Sequence, residues 1–310
     1  MIGLIDLDTS HAQAWLPILR GLGYPVLAVL DSSRVYPCGY AQEFAKCNNI
    51  PHVFSSVEEM AQSPDVQIAI IHSCDWDMHV KHAAPFIAAG KAVLIDKPIV
   101  GRPADLQVLS QWARGGARIA GGSSLRYCDE INAYRASIAE KGSAQAIFAG
   151  CGLDEFNYGI HAYALACGVM GHGVQRVRHA GCVGKHQQVE LHWNDGRRAT
   201  LLIGSKVWLP FYATLVRSNS VEYVEVNIDT LYRRLLERTL PYLSGKVDQP
   251  PIPFDEWIEP ELAALAALWS HQHDGALVEL MDVLSRHDWT GYNGAAFASE
   301  YRAMKLGGEA

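Results

Sequence analysis

The residues best able to do chemistry fall in three short segments. Lys97 follows the apolar run at 92–95 and Asp96, and precedes Pro98, so a strand end can carry its ammonium to a hydroxyl or carbonyl oxygen and polarise it. His161 stands near the start of a helix, where an imidazole can take and return a proton near neutral pH. Asn157, four residues earlier, can hydrogen-bond a substrate but cannot exchange protons at useful pH, which leaves acid/base work to Lys97 and His161. The third segment, Asp6-Leu7-Asp8-Thr9-Ser10-His11, joins a first strand to a first helix. Thr9 and Ser10 can cap that helix or donate to a phosphate at its positive end, and His11 can carry a proton. Asp6 and Asp8 oppose an anion there, at a cost of several kcal/mol, roughly, for an intermediate dielectric.

The elements that must position these groups show a clear rhythm. Short apolar runs at 2–7, 26–30, 66–71, 92–95 and 118–120 alternate with helical patterns at 11–21, 39–47, 78–89 and 103–113, the βαβ order of a parallel sheet. Ser56-Val57-Glu58-Glu59 reads as a capping box opening one more helix. Asp31 closes the second run, where an acidic side chain can hold ribose hydroxyls, while Ser32, Ser33 and Arg34 suit a 2′-phosphate.

Beyond Gly121-Gly122 the pattern changes to a helix at 129–139 and strands at 145–150, 175–180, 187–193 and 198–204, followed by an extended region over 208–226. Asn194-Asp195-Gly196 is a hairpin turn, Gln249 to Pro253 a linker, and 261–284 a final amphipathic helix. The expectation is an α/β protein in two domains: a Rossmann-like parallel-sheet domain over 1–122, and an α+β domain over 123–310 with a mostly antiparallel open sheet for substrate binding and oligomerisation.

Composition narrows the function classes. With 49% hydrophobic residues, 19% charged and a formal net charge of -7, the chain can bury a large interior but offers no broad basic surface for nucleic acid. Seven cysteines without a Cys-x-x-Cys pair argue for reduced thiols in the cytoplasm, and no apolar stretch approaches a membrane span.

Three motifs together resemble the glucose-fructose oxidoreductase / inositol dehydrogenase (Gfo/Idh/MocA) family. Gly90-Lys91-Ala92-Val93-Leu94-Ile95-Asp96-Lys97-Pro98 resembles its G-K-x-V-x-x-E-K-P segment, with Asp96 in place of Glu. Asn157-Tyr158-Gly159-Ile160-His161-Ala162-Tyr163-Ala164 is similar to D-x-G-x-H-x-x-D, with Asn157 and Ala164 replacing both acids. The loop at 6–11 stands where the family has G-x-G-x-x-G, and all three glycines are replaced, by Asp6, Asp8 and His11. The resemblance implies NAD or NADP as cofactor and a sugar, cyclitol or similar polyhydroxylated substrate. Lys97 and His161 would then be catalytic and Asn157 would position the substrate. It implies cofactor contacts at Asp8, Thr9, Ser10, His11, Asp31, Ser32, Arg34, Ser73, Asp75, His79, Asp96, Lys97 and Arg126. Arg126-Tyr127 matches an Arg-aromatic pair at the start of the second domain. Asp75, His79 and His82 form a set able to ligate metal, but the resemblance accounts for His79 without one, and no metal is expected. A homo-oligomer is expected. The departures at Asp6, Asp8, Asn157 and Ala164 also motivate an alternative: a family member that has left redox chemistry and serves as a binding subunit, a lyase or an isomerase.

Overall fold

Runs such as Ile2–Ile5, Ile68–Ile71 and Ala92–Ile95 are apolar at nearly every position and buried throughout, so they cannot lie on a sheet with one wet face. The computed structural model describes residues 1–285 and 289–307. It places these runs in a six-stranded sheet of β1 (Ile2–Ile5), β2 (Val26–Leu30), β3 (His52–Val53), β4 (Ile68–Ile71), β5 (Ala92–Ile95) and β6 (Ile119–Gly121). Every pair in the order β3-β2-β1-β4-β5-β6 is parallel. The crossovers are helices α1 (Ser10–Gly21), α2 (Tyr40–Cys47), α3 (Val57–Gln62), α4 (His79–Ala88) and α5 (Pro103–Arg114). Strand order reverses between β1 and β4, and the crevice outside their carboxyl ends is where this architecture binds ligands.

The capping box holds: Ser56 Oγ accepts from Glu59 N at 3.1 Å, while the Glu59 carboxylate turns back to Ser55.

After α6 (Asp129–Lys141) comes a seven-stranded sheet, interrupted by α7 (Gly159–Met170). Its strands are β7 (Ala146–Gly150), β8 (Val174–Val183), β9 (His186–Trp193), β10 (Arg198–Ile203), β11 (Tyr212–Val216), β12 (Val221–Glu225) and β13 (Val278–Glu279). The order is β12-β11-β7-β10-β9-β8-β13, antiparallel except for β7 with β10, so the sheet is mixed but mostly antiparallel. Helix α7 is buried at every position, which its nearly unbroken apolar sequence requires.

The last third departs from expectation. Helix α8 (Leu231–Leu243) was not foreseen, and it returns to the first sheet, packing on α1, β5 and β6. Instead of one helix over 261–284, α9 (Phe254–Gln272) starts earlier, on Pro253, and stops where Asp274 and Gly275 both take positive φ. Beyond β13 and the short α10 (Asp282–Ser285), a further helix, α11 (Gly294–Gly307), crosses back to the first domain and packs on the turn at Trp76–Met78 that follows β4. Among the described residues no helix is long and apolar enough to cross a membrane.

Candidate active site

The site is assembled at the carboxyl edge of the parallel sheet. Strand β5 ends by delivering Asp96 and Lys97, joined to Pro98 by a cis peptide bond. Asp96 accepts from the Lys97 amide at 2.7 Å through Oδ1, while His11 and His72 both turn Nδ1 toward Oδ2, at 2.6 and 3.1 Å. Burial alone would raise this carboxyl, but the two imidazoles, His11 first, hold it well below the usual carboxylate range.

Lys97 is tied across to the loop before α7. Its Nζ donates to Asn157 O at 2.9 Å and to Asn157 Oδ1 at 2.8 Å, and lies 5.1 Å from the centre of the Tyr158 ring. Burial lowers the Lys97 ammonium from its ordinary value, with Asp96 and Asp154 opposing. Asp154 shapes that loop, its Oδ1 accepting from Phe156 N and Tyr158 N, both at 3.0 Å. His161, in the first turn of α7, is buried, lies 2.8 Å from Ser123 Oγ through Nδ1, and packs on Phe211. Burial and the Lys97 charge push it well below the ordinary histidine value, so it is neutral and ready to accept a proton. Ala164 is fully buried on the same helix, so the place of the family's second acid is here a packed methyl group.

The other end of the crevice is built differently. Asp6 takes the positive φ of the first glycine position, +59°, a conformation aspartate enters more easily than most residues. Its buried carboxylate accepts from Ser32 N at 2.9 Å and from Ser73 Oγ, with His82 Nδ1 at 3.4 Å. Asp8 is also fully buried; Oδ2 accepts from Cys74 N at 2.9 Å, and Oδ1 has no partner. Burial first and Asp6 second push its carboxyl up to about 7. Thr9 caps α1, accepting from His11 N at 3.2 Å, and Ser10 faces an open cavity. Asp31 accepts from Leu7 N at 3.1 Å and Ser33 N at 2.6 Å, bracing the loop it was expected to face.

Several expected contacts have other partners. Arg34 pairs with Asp75 at 2.6 Å, and Arg126 with Glu256 at 2.7 Å beneath α9. His79 spends both ring nitrogens on backbone carbonyls, those of Ile99 and Ser73, each at 2.8 Å. Asp75, His79 and His82 therefore do not converge. The donor set that does is His11, His72 and Asp96, whose ligating atoms lie within 4.8 Å of one another.

A cavity of about 810 Å³ opens between the two ends, lined by Ser10, Trp76, Asn157, Tyr158, Lys206 and the α11 residues Phe297 and Tyr301. Sequence reasoning missed His72, Ser123, Asp154, Tyr158 and the whole α11 wall. Only Asp154 carried a local signal, an Asx turn two residues before Phe156.

The dinucleotide implied by this fold meets a divided site. On one side Asp31 has both carboxylate oxygens on backbone amides, and Thr9 caps the N-terminus of α1. On the other side Asp8 is fully buried and Ala298 of α11 packs between Val35 and Cys74.

Comparison with known proteins agrees with this architecture. Residues 1–120 match the model of the oxidoreductase family with NAD-binding Rossmann fold, GFO_IDH_MocA. The chain is 34% identical over 144 residues to trans-1,2-dihydrobenzene-1,2-diol dehydrogenase of Bos taurus, covering 44% of this chain and 39% of that enzyme. It therefore spans well under half the length of that curated relative. The fold is shared with myo-inositol dehydrogenase of Lactobacillus casei, solved in complex with NAD(H) and myo-inositol, at a TM-score of 0.75 and 13% identity over 90% of this chain and 96% of that one. The apo scyllo-inositol dehydrogenase of the same organism gives 0.77 at 14% identity, over 90% and 98%. With their parallel sheet and Asp-Lys-Pro strand end, residues 1–120 match the NAD-binding Rossmann domain of the Gfo/Idh/MocA oxidoreductase family, and the mixed sheet that follows shares the fold of the solved neighbours.

Proposed function

We propose that the chain is an NAD(P)-dependent oxidoreductase acting on a sugar, cyclitol or related polyhydroxylated small molecule. The observation that carries this reading is the Lys97 ammonium after the end of β5, braced by Asn157 and close enough for its charge to help keep the buried His161 neutral. Lys97 polarises the reacting oxygen, and the lowered affinity of its ammonium for the proton makes that proton easier to pass on. His161, fixed through Nδ1 by Ser123, accepts the proton released from a hydroxyl, and Asn157 orients the substrate and the lysine together. Asp31 would hold the adenosine ribose, and Thr9 and Ser10 the phosphates. The nicotinamide, when bound, supplies the hydride acceptor. Because Arg34 is held by Asp75, NAD fits this site better than a cofactor bearing a 2′-phosphate.

The test is direct. Purified chain is titrated with NAD(H) and NADP(H) and then offered a panel of hexoses and cyclitols while reduced nicotinamide is followed by absorbance. Binding of NAD(H) and turnover of at least one polyol support the reading; no binding of either dinucleotide defeats it. A second reading, a family member without redox activity, is favoured by Asp8, whose unpartnered buried oxygen stands where a pyrophosphate must approach. Proton exchange on a polyol without nicotinamide would distinguish it. The seven free cysteines support a reducing compartment, and the exposed Phe148, Val221 and Tyr223 on the second sheet support a homo-oligomer.

A further inference from the structure

An adenosine whose ribose sits on Asp31 must run its base between the loop after β2 and the loop after β4, because the crevice lies outside those strand ends. In this chain that gap is already filled with protein. Ala298 of α11 is buried between Val35, from the first loop, and Cys74, from the second, and the three form a small apolar core separate from the main one. Tyr36, Phe297 and Tyr301 close around it.

The docking is specific at each end of the helix. At its start, Gly294 N donates to Asp77 Oδ2 at 3.2 Å, Trp76 Nε1 donates to Tyr292 O at 3.0 Å, and Phe297 packs on Trp76 with ring centres 5.1 Å apart. Further along, Arg302 donates to the carbonyls of Ser33 and Arg34 at 3.4 and 3.2 Å, directly beside the ribose acid. The small side chain of Ala298 is what lets the helix lie this close, and a bulky charged residue there has no room.

We infer that the adenosine half of the crevice is a docking site for the chain's own C-terminal helix, and that α11 and the adenosine of a dinucleotide compete for it. This rests on the proposed use of NAD(H). Only chains with α11 undocked offer the complete site, so the measured affinity is the intrinsic affinity reduced by the undocked fraction. Lys97, Asn157, His161 and Ser123 make their hydrogen bonds without α11, so the catalytic end stays formed in both states. The chain therefore carries its own cover for the cofactor, and displacing that cover enables dinucleotide binding.

The experiment compares the full chain with its Ala298→Arg variant, and with Arg302→Ala as a milder release. Hydrogen exchange of residues 294–307 reports docking, and quenching of tryptophan fluorescence reports NADH binding. The expected result is that Ala298→Arg loses protection in 294–307 alone and binds NADH about tenfold or more tightly, with Arg302→Ala between the two. NADH added to the unaltered chain should also speed exchange of 294–307. Equal NADH affinity in all three chains, or NADH bound while 294–307 keeps its protection, overturns the competition and leaves the oxidoreductase reading intact. Absence of NADH binding in every chain, with undocking of Ala298→Arg confirmed by exchange, removes the oxidoreductase reading and the competition with it.

Discussion

The two ends of the crevice have been treated differently. At the proposed catalytic end, Lys97 with Asn157 and His161 with Ser123 form two hydrogen-bonded pairs whose burial lowers the proton affinity of both the ammonium and the imidazole. At the nucleotide end, the residues that should meet a ligand meet one another instead: Asp6 with Ser32 and Ser73, Asp8 with Cys74, and Arg34 with Asp75, while α11 packs on Val35 and Cys74. Both ends are buried, but only the first leaves a lysine and a histidine with shifted proton affinities, whereas the carboxylates of the second are folded inward on backbone amides. A fold can thus keep its reaction geometry and still raise the threshold for its cofactor, because the two tasks fall to different strand ends.

Three substitutions test that contrast. The largest effect is expected from Lys97→Ala, which removes the polarising charge and should lower turnover roughly a thousandfold with the fold unchanged, as steady-state rates and circular dichroism would show. Turnover within a factor of about three of the unaltered chain would remove the catalytic end from the comparison. His161→Gln keeps a hydrogen bond to Ser123 but cannot exchange a proton, so a loss of about a hundredfold in kcat with little change in KM is expected.

At the nucleotide end, Asp8→Asn removes a charge that is present only above about pH 7. NADH affinity of the unaltered chain should therefore rise as pH falls from 8 to 6, by about tenfold, whereas Asp8→Asn should show a flat profile at the higher value. Parallel pH profiles for the two chains would show that Asp8 does not face the phosphates.

Stability gives the smallest effect. Asp8 is raised in the folded state, so its contribution is fully present below its unfolded value near 3.8 and is lost as pH rises through about 7. Asp8→Asn should thus gain on the order of 1 kcal/mol relative to the unaltered chain between pH 5 and pH 8, measured by urea unfolding. Asp96 works in the opposite sense: its carboxyl is held low, so its contribution is present above 3.8 and lost in acid.

Much of this was legible in the residues themselves. A parallel sheet follows from short apolar runs punctuated by helices, because a strand covered on both faces tolerates no polar alternation. Lys97 and His161 could be named because ammonium and imidazole chemistry is a property of the side chain. The replacement of all three glycines was equally plain, and its sign, opposition to an anion, needs only charge.

Tertiary structure decided which neighbour each polar group would choose. Arg34 and Arg126 read as ligand-binding arginines, yet each closes on a carboxylate from a distant segment, Asp75 and Glu256. His79 reads as a cofactor contact and instead staples two backbone segments. His11 reads as a poor glycine and turns out to share Asp96 with His72, across 85 and 24 residues of sequence respectively. Helix α11 illustrates the limit most sharply: nothing in 294–307 announces that Ala298 belongs between Val35 and Cys74. Chain composition determines what each group can do and which local elements can form. Contacts between residues hundreds of positions apart depend on how sheets and helices pack, and that packing placed a helix between the loops after β2 and β4.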